Sequence, residues 1–420
     1  METLEVILQQ HTPLIHFQHY QDGATLRASE VKPRLDKFLI GNDAFDKWKR
    51  YLVGALHLSD EQMEMEAKTE DEIKRIKEYV GKREKTLEQK FKDGFRGLDY
   101  KLTILPSSKN PLYYDDNDDA MCMYFANQGT VEKKRGILYD DDVILRFTSQ
   151  HSGLIKVIEQ RFPVFLSQTN FGSRQTKGYG SFFIKDKENQ LENADYSFIV
   201  STNDVKVLFK QISDFYSVIR AGINNRGLYI KSALYKYLAE QNIQWDKKTI
   251  KQQFYTNDEK TEQRNKHSNA EILNFQGNTG NEHIYKELLG LSTNETWYKV
   301  SATLTNKHSL KREVDNDRIA RFKSPVLFKP IKNGGQYVVY IYLSEIPTEM
   351  RNKDVKIIWD GNKNETFKTA NDFSVIQYFN WIYAQRRNLI TSLSNAATNG
   401  ATERRNNINN CFTNLKKIKP

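Results

Sequence analysis

Residues Leu4–Gln10, "LEVILQQ", place apolar side chains at Leu4, Val6, Ile7 and Leu8 and read as a strand. "PLIHFQ" continues or turns from it. The spacing becomes helical in "TLRASEVKPRLDKFLIG", Thr25–Gly41, where Gly41 marks the end. Pro33 requires that this helix begin either near Ser29 or at Pro33 itself. "DAFDKWKRYLVGAL" reads as a further helix. Between Glu61 and Phe91 the chain is densely charged, with Ile73, Ile76 and Val80 spaced i, i+3, i+7, the pattern of an exposed, inserted helix. Alternation marks "DYKLTILP" (Asp99–Pro106) and "DVILRFTS" (Asp142–Ser149), with the acidic loops "YYDDNDDA" and "YDDD" between them. "GLIKVIEQRFPVFL" is expected to be helical up to Pro163. After it, "NFGSRQTKGYGSFFI" (Asn170–Ile184) makes a glycine-rich turn into a strand. Strand, helix, insertion, strand, strand, helix, turn, strand is close to the split βαβ plan of a ferredoxin-like domain. The polar stretch Lys187–Ala194 makes a boundary.

The second half opens with two expected helices, "NDVKVLFKQISDFYSVIRAG" and "GLYIKSALYKYLAEQ". Asn257–Asn281 is polar and rich in Gly and Asn, the composition of a mobile loop. "WYKVSATLT" and "QYVVYIYLSE" alternate as strands, with "RFKSPVLFKPI" between them. A last amphipathic helix carries Phe373, Ile376, Phe379 and Ile382 or Tyr383 on one face, and the remainder is expected to be a loose basic tail.

Length and composition narrow the class. A chain of 420 residues can hold two or three domains, and 38% hydrophobic residues suit a globular rather than a disordered protein. No apolar run approaches the roughly 18–20 residues of a membrane span. The N-terminus lacks a basic region followed by an apolar core, so no secretory signal is expected. Cys122 and Cys411 fit a reducing cytoplasm and form neither a disulfide framework nor a zinc cluster. The formal charge is +10. From Asn371 onward Arg386, Arg387, Arg404, Arg405, Lys416, Lys417 and Lys419 face only Asp372 and Glu403, which places half of the excess in the last 50 residues. Such clusters suit a polyanion, commonly nucleic acid, or equally an ordinary solvated surface.

The chemistry-bearing stretches are few. Gly172 and Gly178 are one residue too far apart for a phosphate-binding GxxxxGK[ST] loop, and Tyr179-Gly180 stands where Lys-Ser/Thr must be. A dinucleotide fingerprint would follow a strand and open a helix, the reverse of the order here. What remains is a close backbone approach with exposed amides, two cations and an aromatic ring, suited to a sugar-phosphate chain, or a plain turn whose Tyr179 packs. Arg27, Lys32, Arg34 and Lys37 surround a helix start, where phosphates are attracted. His11, His16 and His19 do not converge if extended and have no carboxylate partner nearby. They read as structural or RNA-contacting, with acid–base work on an RNA 2′-hydroxyl as the alternative. The acidic "DDNDDA" lacks the Gly and Glu of a calcium loop, so no metal and no cofactor is expected.

Taken together, "FGSRQTKGYGSF" between helix and strand, and "GATLRASEVKPRLDKFL" after an early strand, resemble the RAMP superfamily, the RNA-binding subunits of CRISPR effector complexes. "RFKSPVLFKPI" further resembles a C-terminal motif of one branch, the first Cmr subunit of type III-B complexes. The resemblance implies an α+β fold of two ferredoxin-like (RRM-like, RAMP) domains with helical insertions. The first would span 1–187, with a charged helical insertion at about 42–97 and the Gly-rich loop at 170–181. The second would span 188–394, and 395–420 would be a basic tail. It implies a non-catalytic subunit that holds guide RNA paired with target RNA near the 3′ end of the guide, among other RAMP subunits, in the cytoplasm and away from membranes. Arg27, Lys32, Arg34, Ser173, Arg174, Lys177 and Tyr179 map onto stretches that face RNA in such proteins, and His16 is placed with them. Arg321, Lys323, Ser324 and Lys329 lie in the third motif. A metal-independent endoribonuclease and a purely structural subunit are the alternatives.

Overall fold

A computed structural model describes residues 1–15, 25–55, 69–106, 111–115, 135–140, 142–187, 191, 193–225, 228–256, 283–291, 294–300, 305–315, 318–319, 322–391 and 399–419. His16, His19, Arg321, the acidic stretch 116–120 and the polar loop 257–281 lie outside them. The chain divides into two units. One takes in the described residues up to 191 except Thr176–Gly178, and the other takes in Thr176–Gly178 and everything from Asn193 onward.

In the first unit the elements run β1 (Glu2–Gln10), α1 (Ala28–Ile40), the short α2 (Phe45–Trp48), α3 (Glu70–Lys92), β2 (Lys101–Pro106), β3 (Leu112–Asp115), β4 (Arg135–Leu138), β5 (Val143–Ser149), α4 (Ser152–Ser167) and β6 (Phe182–Ile184). Four strands form an antiparallel sheet in the order β2-β5-β1-β6, with Glu2 opposite Ser149 and Leu8 opposite Val143. Alternation decides its faces. Leu8, Leu102, Val143, Leu145 and Phe147 are buried, whereas Glu5 and Arg146 pair in solvent at 3.0 Å. From Phe147 a run of aromatic rings continues through Phe162, Phe165, Phe171 and Phe182, with centroids 5.1–6.1 Å apart. This run joins sheet, α4 and Gly-rich loop in one core.

Two local expectations change and one is decided. The helix α4 continues past Pro163, because Phe165 and Leu166 beyond it are buried and their packing outweighs the one backbone bond that proline removes. Of the two starts expected for α1 the one near Ser29 holds: the helix begins at Ala28 and Pro33 is its sixth residue, just past the tolerant first turn. Tyr113–Asp115, expected as acidic loop, pair as strand β3 with β4.

The second unit contains β7 (Tyr196–Val200), α5 (Val205–Arg220), β8 (Ile223–Asn225), β9 (Leu228–Ile230), α6 (Ala233–Glu240), α7 (Asp246–Phe254), β10 (His283–Ile284), β11 (Asn294–Val300), β12 (Thr305–Val314), β13 (Val326–Asn333), β14 (Gln336–Leu343), β15 (Asp354–Trp359), β16 (Lys363–Thr369), α8 (Val375–Thr391), α9 (Asn399–Thr413) and β17 (Lys416–Lys417). Its antiparallel sheet has the order β13-β14-β7-β17. A second sheet, β10-β16-β15-β12-β11, is assembled from the chain between α5 and β13 and from the chain after β14.

Part of the expected helix at 227–241 is instead the hairpin β8–β9, which buries Ile223 and Ile230, and α6 begins only after Ser232 caps the Tyr235 amide at 3.0 Å. The expected loose tail is ordered from Asn399. Helix α9 buries Ile408, Cys411 and Phe412, the Phe412 ring lies 5.1 Å from Phe215 of α5, and Arg404 Nε donates to Asp214 Oδ1 at 2.5 Å. Its fixed position comes from this apolar stripe, set among polar residues that dominate the composition.

Candidate nucleic-acid interface

The Gly-rich loop is held by the segment after β1 and by the first turns of α1. The amide of Phe171 and the carbonyl of Gly180 bond at 2.9 Å, the Gly180 amide reaches Pro13 O at 2.8 Å, and the Ser173 amide reaches Ile15 O at 2.7 Å. Ser181 N donates to Thr12 Oγ1 at 2.9 Å. Across 142 residues of sequence, Gly172 N donates to Glu30 Oε1 at 2.8 Å. Arg34 Nη1 donates to Asn170 O at 2.9 Å and lies 5.1 Å over the Phe171 ring. Within the loop, Asn170 Nδ2 donates to Gln175 O at 2.7 Å and Gln175 Nε2 to Gly172 O at 2.6 Å.

These bonds explain the glycines differently from the expectation. Gly180 has φ +64°, and a Cβ there would stand 2.1 Å from Phe171 O; Gly172, at φ +72°, would meet Ile15 O at 2.3 Å. The close approach is thus to the protein's own backbone. The amides of Phe171, Gly172, Ser173, Gly180 and Ser181 are spent on protein acceptors rather than exposed to a ligand.

The expected RNA-facing residues separate into groups. Lys32 Nζ is committed to Asp36 Oδ2 at 2.9 Å and Leu98 O at 2.6 Å, 3.8 Å over the Tyr100 ring. Burial raises the Asp36 pKa, with Lys32 opposing it. Tyr179 is 1% exposed and Lys329 fully buried, so both side chains are interior, because each packs where its strand or loop crosses a core. Lys177 places its ammonium over the Tyr216 ring, and the Tyr216 hydroxyl donates to Leu289 O at 2.5 Å and shares a 3.2 Å hydrogen bond with Ser324 Oγ. Ser324 is therefore also engaged, while Lys323 is exposed. Ser173 and Arg174 are half-buried, and Arg174 takes the left-handed φ of +55° with its guanidinium 5.8 Å from the Tyr179 ring. Arg27 is the residue preceding α1 and makes no side-chain cap. Neither Arg27 nor Arg174 has an ion-pair partner among the described residues, and the Nε of each is without a hydrogen bond. Burial lowers the Arg34 pKa, partly offset by Glu30, yet it stays a cation at neutral pH.

Glu30 and Asn170, which tie α1 to the loop, are the site neighbours that sequence reasoning missed. Nothing local marks them, since both act across the long separation between α1 and the loop. Among the described residues no group of three or more metal-ligating side chains converges, and no helix is long and apolar enough to cross a membrane.

Residues 1–223 match the family model of the Cmr1 N-terminal domain and residues 229–409 that of the Cmr1 C-terminal domain. No curated protein sequence matches the chain. A crystal structure of Cmr1 from Pyrococcus furiosus in its apo form aligns at 13% identity over 90% of this chain and 96% of that one, with a TM-score of 0.32. With nearly its whole length covered by the two family models, the chain belongs to the Cmr1 family, a type III-B branch of the RAMP proteins.

Proposed function

We propose that this protein is a non-catalytic RNA-binding subunit of a Cmr-type CRISPR ribonucleoprotein, holding the guide RNA and its target near the 3′ end of the guide in cytoplasmic antiviral defence. Membership of the Cmr1 family supports a place in a multisubunit Cmr complex with other subunits and RNA. In each unit the four-stranded sheet runs second-third-first-fourth strand in chain order, with a helix after the first strand and another after the third, which we read as two ferredoxin-like domains.

The observation that carries the RNA-binding reading is the pair Arg27 and Arg174. They flank two elements that Glu30 and Arg34 clamp together, and neither is neutralised by an acid among the described residues. Phosphate oxygens are natural partners for such guanidinium groups. The glycines shape the loop and the arginines meet the polyanion, reading backbone rather than sequence.

The test is RNA affinity of Arg27→Ala and Arg174→Ala against salt. Each variant is expected to weaken binding uniformly across sequences and flatten the salt dependence by about one unit of slope per lost phosphate contact. An unchanged slope in both removes the loop from the interface. Incubation of the pure protein with repeat RNA and EDTA separates binder from nuclease: the RNA is expected to stay intact, and cleavage lost in His16→Ala or His19→Ala would reverse the assignment.

A further inference from the structure

Helix α7 carries Lys247 and Lys251 four residues apart, hence on one face. Both are half-buried. The Lys247 ammonium lies 5.0 Å from the centroid of Trp297, and that of Lys251 lies 5.2 Å from that of Tyr255. Neither has an ion-pair partner among the described residues. The acid whose charge reaches Lys247 is Glu295, but both of its oxygens already accept from Lys286 Nζ at 2.8 Å, and Oε2 also accepts from Arg312 Nη2 at 2.6 Å. Burial, followed by the charge of Lys247, pushes the Lys251 pKa down to about 8. Two like charges are therefore held a turn apart, partly out of water, beside aromatic rings and, among the described residues, without an acid between them. For folding alone this arrangement is unfavourable, and truncating either lysine would relieve it. A dianion or a phosphodiester would convert the repulsion into two charge-assisted hydrogen bonds.

We propose that Lys247 and Lys251 of helix α7, which packs on the five-stranded sheet of the second unit through Ile250 and Phe254, form a phosphate-binding site. The phosphate comes either from a nucleic-acid strand, which rests on the function proposed above, or from a free phosphate compound. Lysine acylation followed by peptide mass spectrometry, on the full chain at pH 8, tests it with an RNA oligonucleotide and with pyrophosphate as separate probes. In the free protein Lys251 is expected to react faster than the exposed lysines, because about half of it is neutral at that pH against under about one per cent of an ordinary lysine. A probe at about ten times its dissociation constant is expected to slow both lysines about tenfold. Slowing by RNA alone assigns a strand phosphate, and slowing by both probes assigns phosphate in general. If RNA binds through the α1 and loop arginines but slows neither lysine, and pyrophosphate also fails, the site is overturned while the RNA-binding function stands. If pyrophosphate slows them and RNA does not bind, the site stands and that function falls. Lys247→Gln and Lys251→Gln are expected to unfold at the wild-type midpoint or above it while losing the protection. A lower midpoint with protection retained at the remaining lysine would make the pair structural.

Discussion

Arg34 of α1 donates a 2.9 Å hydrogen bond to the backbone carbonyl of Asn170, at the mouth of the Gly-rich loop. A residue expected to grip RNA instead grips the loop expected to do the same. Its charge still contributes to the local field, but its geometry is spent on positioning.

Arg34→Ala is expected to lower stability by about 1.5–3 kcal/mol, the range for a hydrogen bond involving a charged group. It should also speed amide exchange at Gly172 and Ser173. Hydrogen exchange with peptide resolution and urea unfolding check this; unchanged exchange in the loop would show that Glu30 alone suffices to hold it.

Two glycines with similar backbone angles should respond differently to alanine. Gly180→Ala combines φ +64° with a Cβ 2.1 Å from Phe171 O, whereas Gly334 has φ +59° with no heavy atom within 4 Å. Gly334→Ala is expected to cost about 1–2 kcal/mol for the left-handed backbone, and Gly180→Ala clearly more. Denaturation midpoints of the two variants decide the comparison.

The buried ionic cluster of the second unit gives a signed pH dependence. Asp246 Oδ2 accepts from the amides of Tyr285 at 2.7 Å and Lys286 at 2.6 Å. Burial, followed by the charge of Glu287, pushes the Asp246 pKa up to about 7. Its unfolded value is near 3.9. Between these values the folded state holds the extra proton, so this group's contribution is full below about pH 4, falls as pH rises to about 7 and is flat above. Asp246→Asn, which keeps an acceptor oxygen, should remove a slope of up to about 1.4 kcal/mol per pH unit in that window. Chemical denaturation from pH 4 to 8 measures it.

Arg312 is 1% exposed, forms an ion pair with Glu287 at 2.7 Å and donates to Glu295 at 2.6 Å. Arg312→Met leaves a buried carboxylate unpaired and is expected to cost about 3–5 kcal/mol. An unfolding midpoint equal to wild type would show that water or Lys286 takes over both acids.

The C-terminal segment belongs to the core of its unit. Ile408→Ala is expected to cost about 2–5 kcal/mol, and a chain ending at 398 should lose cooperative unfolding of the second unit. A truncated protein that unfolds with the same midpoint would return the segment to the role of a loose tail.

What the sequence determined by itself was local: an apolar run placed β1, and period-two and period-3.6 patterns placed α1, β2, β5, α5, β14 and α8, because side-chain direction repeats with the backbone and needs no distant partner. The Asp360-Gly361 turn between β15 and β16, with φ +49° and +78°, was an unused local signal of the same kind. Motif order also reached the family, since order and spacing survive when individual contacts are invisible. Tertiary structure alone decided what each functional group does. Lys32 and Arg34 look alike in sequence to Arg27 and Arg174, and only burial and partners up to 136 residues away separate the basic groups that hold the fold from the two without an ion-pair partner among the described residues. The tail was misread for the same reason: a few apolar residues in a polar segment become a fixed helix only when Phe215 and Asp214 supply the surface they pack on.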